Sequence, residues 1–158
     1  MVKPIPAGYH SVTPSLTFKD SKKAIEFYQK AFGAEVLDTF PNLNGGGLMH
    51  ATIQIGDSIM MMGDEMPGQG SCKSAETVGG SPITLFLYAS DVDSSFKRAV
   101  DAGAEVAMPV SDMFWGDRAG SIKDPFGYCW MIATHKQDLT MEQMREGAAA
   151  FFSQMGMK

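Results

Sequence analysis

The chain has 158 residues, enough for one domain of ordinary size or two small modules sharing a core, and 44% apolar with 20% charged residues excludes wholesale disorder. Thirteen Lys and Arg against eighteen Asp and Glu give a net charge of −5 with no basic block, which argues against nucleic acid or a membrane surface as partner. Two cysteines are too few for a disulfide framework, residues 1–6 lack the apolar stretch of a signal peptide, and no apolar run reaches spanning length; the expected location is cytoplasmic.

Val12, Leu16 and Phe18 alternate with Thr13, Ser15 and Thr17, a strand signal that Pro14 restricts to an edge or irregular strand. Asp20 or Ser21 can cap a helix over Lys22 to Phe32, with Ala24, Ile25, Tyr28 and Phe32 on one stripe and Gly33 as its stop. Ala34 to Leu37 begins a second strand, and Pro41 to Gly47 reads as a turn. Leu48 to Ile55 alternates again, and Gly56-Asp57 turns the chain into a strand from Ser58 to Met62. This is β-α-β-β-β. Asp64 to Pro82 is rich in Gly, Ser, Pro and acidic residues, and a loop of that length is expected to be a linker or a lid.

The second half repeats the first. Ile83 to Tyr88 is a strand signal, and Asp91 to Ala102 a helix with Val92, Phe96, Ala99 and Val100 inward. Gly-Ala-Glu-Val occurs at 33–36 and again at 103–106, each time directly after a helix. Asp124-Pro125-Phe126-Gly127 is a turn into a last strand, Tyr128 to Ala133, and Gly127 holds the place that Gly56 holds in the first half. The expected fold is α+β: two tandem β-α-β-β-β modules over residues 8–66 and 82–135, joined by a loop over 67–81. An amphipathic helix is expected over 138–156, with Thr140 and Gln143 as a capping box and Met141, Met144, Ala148, Phe151 and Met155 as an apolar stripe.

Paired modules with Asp-Pro-Phe-Gly before the last strand resemble the vicinal oxygen chelate superfamily, which contains glyoxalase I, bleomycin and fosfomycin resistance proteins and extradiol dioxygenases. Five stretches are similar to its PhnB-like, glyoxalase-like branch: Gly8 to Pro14, Ala24 to Tyr28, Phe32 to Glu35, Gly116-Asp117-Arg118, and Ile132 to His135. The resemblance covers residues 8 to 135. Some members of that branch carry a demethylubiquinone methyltransferase label, yet no glycine-rich loop here leads from a strand into a helix as a methyl-donor nucleotide site would need. The resemblance implies half-barrels around a cavity, often paired across the subunits of a homodimer. It also implies four positions where metal-dependent members carry His, Glu or Gln, and these fall on Thr13, Met60, Thr84 and Met131. Thioethers and neutral hydroxyls are poor donors to Zn²⁺, Ni²⁺ or Fe²⁺. A slip of one residue offers Pro14, Met61, Leu85 and Ile132, which is no better. No metal and no other cofactor is expected.

Alternation along the strands assigns the expected cavity lining. Cys129, Met131 and Ala133 share one face of the last strand, with Tyr128, Trp130 and Ile132 toward the helices. Ser58, Met60 and Met62, and Thr84, Phe86 and Tyr88, are placed on the cavity side; Ala51, Ile53 and Ile55 face the helices, leaving His50, Thr52 and Gln54 inward. The candidate ligand-binding set is therefore Thr13, His50, Gln54, Met60, Met62, Thr84, Phe86, Tyr88, Cys129 and Met131. Plainer readings stand beside it: methionine as core filler, His50 as a hydrogen-bonded structural histidine, Cys129 as a buried thiol, and Trp115 to Arg118 as a turn ending in an ion pair. A meeting of His50, Cys129 and Asp117 in one metal or nucleophilic site is open but nothing in their spacing requires it. No residue stands out as catalytic. The expected function is metal-free binding of a small apolar or aromatic molecule. The alternative is a metal-dependent lyase, isomerase or dioxygenase with unusual ligands. A purely structural role fits the amphipathic tail but leaves the cavity unexplained.

Overall fold

The computed structural model describes residues 2–43, 45–66, 68, 72–154 and 156. The first module runs through β1 (Ser15–Phe18), α1 (Ser21–Phe32), β2 (Glu35–Pro41), β3 (Leu48–Ile55) and β4 (Ser58–Asp64). A short helix, α2 (Ala75–Val78), precedes the second module, which comprises β5 (Thr84–Tyr88), α3 (Val92–Asp101), β6 (Glu105–Asp112), β7 (Asp117–Lys123) and β8 (Cys129–His135). α4 (Met141–Gln154) closes the chain. The two sheets have the same order, β1-β4-β3-β2 and β5-β8-β7-β6. In each, the first and last strands of the module are parallel and the other pairs antiparallel. The repeated Gly-Ala-Glu-Val thus marks a repeat of fold.

Local chemistry accounts for the boundaries. β1 begins only after Pro14, which has no N–H to offer a sheet, although its carbonyl still accepts from Met61 N at 2.9 Å. Asp20 and Asp91 cap α1 and α3 alike, each carboxylate accepting from a backbone N–H at 3.2 Å, that of Lys23 or Ser94. Gly33 ends α1 in the left-handed region, with φ of 67°. The start of each helix is also pinned to the last strand of its own module. Ser21 N donates to Asp64 Oδ1 at 2.6 Å, and Val92 N donates to Thr134 Oγ1 at 2.8 Å.

The helix-facing sides of both sheets meet in one core, where Phe18, Tyr28, Ile53, Ile122, Trp130 and Ile132 are buried with α1 and α3 between them. Aromatic rings join the modules: Phe32 lies 4.6 Å from Trp130 and Phe18 lies 5.6 Å from Phe126. The opposite face of each sheet is not covered in this way, which is the feature that positions the site.

The segment between the modules docks at one point. Ser74 caps α2, and Ala75 is buried where Gly127 passes; a side chain at Gly127 would press on it at 3.3 Å. Residues 67 and 69–71 of the expected loop, and Met155 of the expected tail stripe, lie outside the described residues. The capping box forms reciprocally, Thr140 N to Gln143 Oε1 at 2.9 Å and Gln143 N to Thr140 Oγ1 at 3.2 Å. No described residue of α4 is buried; the helix touches the body where Phe114 meets Phe151 and Phe152. Among the described residues no helix is long and apolar enough to cross a membrane.

Candidate ligand-binding site

Strand register decides which side chains face away from the core. The Gly56-Asp57 turn pairs Ile55 with Ser58, so Ile53 stands opposite Met60 and Ala51 opposite Met62. Met60 and Met62 therefore point with Ala51 and Ile53 into the core, at 5% and 2% exposure. The expectation that these two methionines share the open face with His50, Thr52 and Gln54 is corrected. Paired residues of an antiparallel ladder lie on the same side, and the side of Thr52 and Gln54 belongs to Met61 and Ile59. His50 is half-buried; its Nε2 shares a hydrogen bond with Thr52 Oγ1 at 3.0 Å and lies 3.8 Å from Asp38. Gln54 turns back to its own hairpin, donating to Gly56 O at 2.9 Å.

The second sheet is arranged differently. Leu85 and Leu87 pack on the core, while Phe86 and Tyr88 project from the other side, 48% and 62% exposed, with ring centroids 5.0 Å apart. The parallel register sets Thr84 beside Cys129, Phe86 beside Met131 and Tyr88 beside Ala133, so these residues share one open face. Met131, Met108 and Trp115 pack there around buried Met113, Ala119 and Ala133.

A cleft of about 400 Å³ opens between β5 and the β3–β4 hairpin. It brings together Thr13, Met60, Phe86 and Tyr88 from the candidate set, with His10 at its edge and Trp130 among its walls. Thr84, Cys129 and Met131 lie on the adjoining open face, whereas Met62 is interior and His50 and Gln54 belong to the first sheet. β5 borders both the cleft and the open face.

At the end of that face is a polar group that the candidate set missed. Asp117, 3% exposed, accepts from Tyr88 Oη at 3.1 Å and Trp115 Nε1 at 3.0 Å on Oδ2, and from His135 Nδ1 at 2.7 Å on Oδ1. His135 Nε2 lies 3.0 Å from Asp138 Oδ1. An ionised carboxylate only accepts, so a carboxylate at each nitrogen favours the imidazolium, the form that can donate from both. Hydrogen bonds to Asp117 and then Asp138 accordingly hold His135 above the usual imidazole range. Burial, followed by the bond to Asp117, raises the Tyr88 phenol. Trp115 to Arg118 and the terminal His135 were visible as motifs, but only the register opposing Asp117 to His135 shows that they meet. The ion-pair reading of this turn applies to Arg118, which binds both carboxylate oxygens of Asp93 at 2.8 Å and one of Asp112 at 3.2 Å. Those bonds raise the guanidinium and lower Asp93.

His50 and Asp117 stand in separate sheets, and among the described residues no three His, Cys, Asp or Glu side chains gather as a metal-binding group. At the four positions implied for a metal, Thr13 already donates its hydroxyl to His10 O at 3.0 Å and Met60 is interior, which leaves Thr84 and Met131 on the open face. Hydroxyls and thioethers do not fit a hard or borderline divalent ion.

The sequence profile of the Glyoxalase/Bleomycin resistance protein/Dioxygenase superfamily matches residues 9–132. The chain belongs to this superfamily. Its relatives include the uncharacterized protein Mb0911c of Mycobacterium bovis, 36% identical over 137 residues, covering 85% of this chain and 90% of that one. TioX from Micromonospora sp. ML1 shares the fold with a TM-score of 0.64 and 27% identity, over 80% of this chain and 98% of its own. The PhnB protein from Bacillus cereus is similar in fold alone: TM-score 0.62, 18% identity, 79% of this chain and 99% of that one. The two-module α+β architecture and the PhnB-like neighbourhood agree with the resemblance read from the sequence.

Proposed function

We propose that this superfamily member binds a small apolar or aromatic molecule, without a metal ion, against β5 and β8. The observation that carries this reading is the pair Phe86 and Tyr88, two large rings left half-exposed side by side on a strand whose alternate residues are core. Met131 stands beside Phe86 and offers an adaptable thioether to a flat ligand. Burial of such a ligand contributes roughly 25 cal/mol per Å² of apolar surface before ordering costs. Thr13, Thr84 and Cys129 supply the few polar or polarisable contacts, and the hydroxyls and thioethers at the four implied metal positions are poor ligands for an ion that would reward vicinal oxygens.

We further propose that the protein is a homodimer in which open sheet faces of two chains cover one another. Phe40 on β2, half-exposed beside His50, supports this together with Phe86 and Tyr88. In that assembly His50 and Gln54 contribute hydrogen bonds to the ligand, as part of the first sheet's open face.

A thermal-shift screen of aromatic compounds alongside anionic metabolites such as phosphonates tests the reading. Aromatic compounds should stabilise the native chain, the double substitution of Phe86 and Met131 by Glu should abolish the effect, and His50→Ala should weaken it without unfolding the protein. Stabilisation only by anions, lost on changing Arg118 or Lys123, refutes it. About one Zn, Ni or Fe per chain after gentle purification would instead favour a metal-dependent lyase, isomerase or dioxygenase.

A further inference from the structure

Asp138 reaches His135 from outside the sheet. Its side chain is fully exposed, yet Oδ1 sits 3.0 Å from Nε2. An oxygen of a water-surrounded carboxylate is thus already held at that nitrogen. The other side of the imidazole is fixed. Asp117 is buried, and its two oxygens are occupied by His135 Nδ1, Tyr88 Oη and Trp115 Nε1. A buried carboxylate bonded to Nδ1 orients the ring and leaves Nε2 turned outward. Tyr88 and His135 bond opposite oxygens of the same carboxylate, so the imidazole stands at the end of the Tyr88–Phe86 aromatic strip. An imidazole nitrogen directed outward and a pair of exposed rings therefore adjoin on one face.

We infer that His135 Nε2 anchors the carboxylate of an aromatic acid whose ring lies along Tyr88 and Phe86, with Asp138 occupying that place when the acid is absent. This rests on the reading of the β5 face as a binding surface. Binding exchanges one hydrogen bond for another: the Nε2–H that Asp138 accepts is instead accepted by the ligand oxygen, and Asp138 returns to water. The exchange costs little, because an exposed ion pair contributes little. The ring of the acid then adds buried apolar area that Asp138 cannot supply. The ionisable groups facing His135 are Asp117 from β7, Tyr88 from β5 and Asp138 from the segment before α4. Asp112 and Lys136 border the neighbouring groove, and Lys136 contributes there to lowering Asp93.

The test compares 2-naphthoate with its neutral methyl ester, binding to the full chain at about pH 6, where imidazolium dominates. The acid should bind about tenfold more tightly than the ester, the gain expected of one charge-assisted hydrogen bond. His135→Gln should remove that preference while leaving ester binding in place. Asp138→Asn, at a fully exposed position, should tighten the acid about threefold by removing its internal competitor and should not change the ester. If the ester binds and the acid binds no better, or if Asp138→Asn weakens the acid, the anchor is wrong and the aromatic surface stands. If the preference survives His135→Gln, the anchor is equally wrong. Failure of both compounds to bind the native chain removes the surface reading and the anchor with it.

Discussion

Tyr28 and Asp124 join the two modules through one buried hydrogen bond, the α1 phenol donating to a carboxylate in the β7–β8 turn at 2.7 Å. Asp124 also accepts from Trp130 Nε1 at 3.0 Å and from the backbone N–H groups of Phe126 and Tyr128, each at 2.9 Å. Burial raises Asp124 and, with the neighbouring carboxylate, holds Tyr28 well above the usual phenol range. The turn motif that marks the family in sequence is therefore also the polar centre of the shared core. Loss of a hydrogen bond to a charged acceptor costs about 1.5–3 kcal/mol, so Tyr28→Phe should lower stability by that amount. Asp124→Ala leaves four buried donors without an acceptor, at roughly 1–3 kcal/mol each, and should prevent stable folding. Urea unfolding checks both, and the Tyr28→Phe transition should remain single because the modules share one core.

Gly116 has φ of 96°, and a side chain there would meet Gln137 O at 2.3 Å. Its carbonyl accepts the N–H groups of Lys136 and Gln137, so this turn places Asp117 and the chain beyond His135 together. Gly116→Ala should cost about 1–3 kcal/mol through backbone strain and overpacking. Because it disturbs the Asp117–His135 contact, the substitution should also bring the His135 pKa back toward its ordinary value. Thermal unfolding and NMR titration of the imidazole measure the two effects separately.

His135 predicts a pH dependence with a definite sign. Bonds to Asp117 and then Asp138 favour the imidazolium in the folded chain, so its folded pKa exceeds the unfolded one. The stabilisation is complete below the ordinary histidine value, about 6.5, and disappears as pH rises through the raised folded value. His135→Gln should therefore be more destabilising at about pH 5.5 than at about pH 8.5. Equal losses at both pH values in denaturant titrations would remove this account.

The exposed rings on the open faces predict the mass of the assembly. Light scattering well above micromolar concentration should give twice the mass of a single chain. Substitution of Phe40 and Phe86 by Lys should shift it toward one chain, since both are about half-exposed and neither fills the shared core. A native protein that stays at single-chain mass under these conditions counts against the homodimer.

Helix caps, turns and the repeat were legible in the sequence because they are local. Asp20 and Asp91 each answer to a backbone N–H three residues on, Gly33 supplies a left-handed stop, and strand alternation told the core side from the open side of β5 and β8. That alternation was not informative in β4, where Ile59, Met60, Met61 and Met62 are apolar on both sides. There the pairing with β3 sends Met60 and Met62 inward and turns Met61 outward. The contact between Asp117 and His135, like that between Tyr28 and Asp124, was equally out of reach. Periodicity reports which side of a strand a residue takes, whereas register and module packing decide which distant residue stands opposite, and those depend on contacts that no local stretch of chain contains.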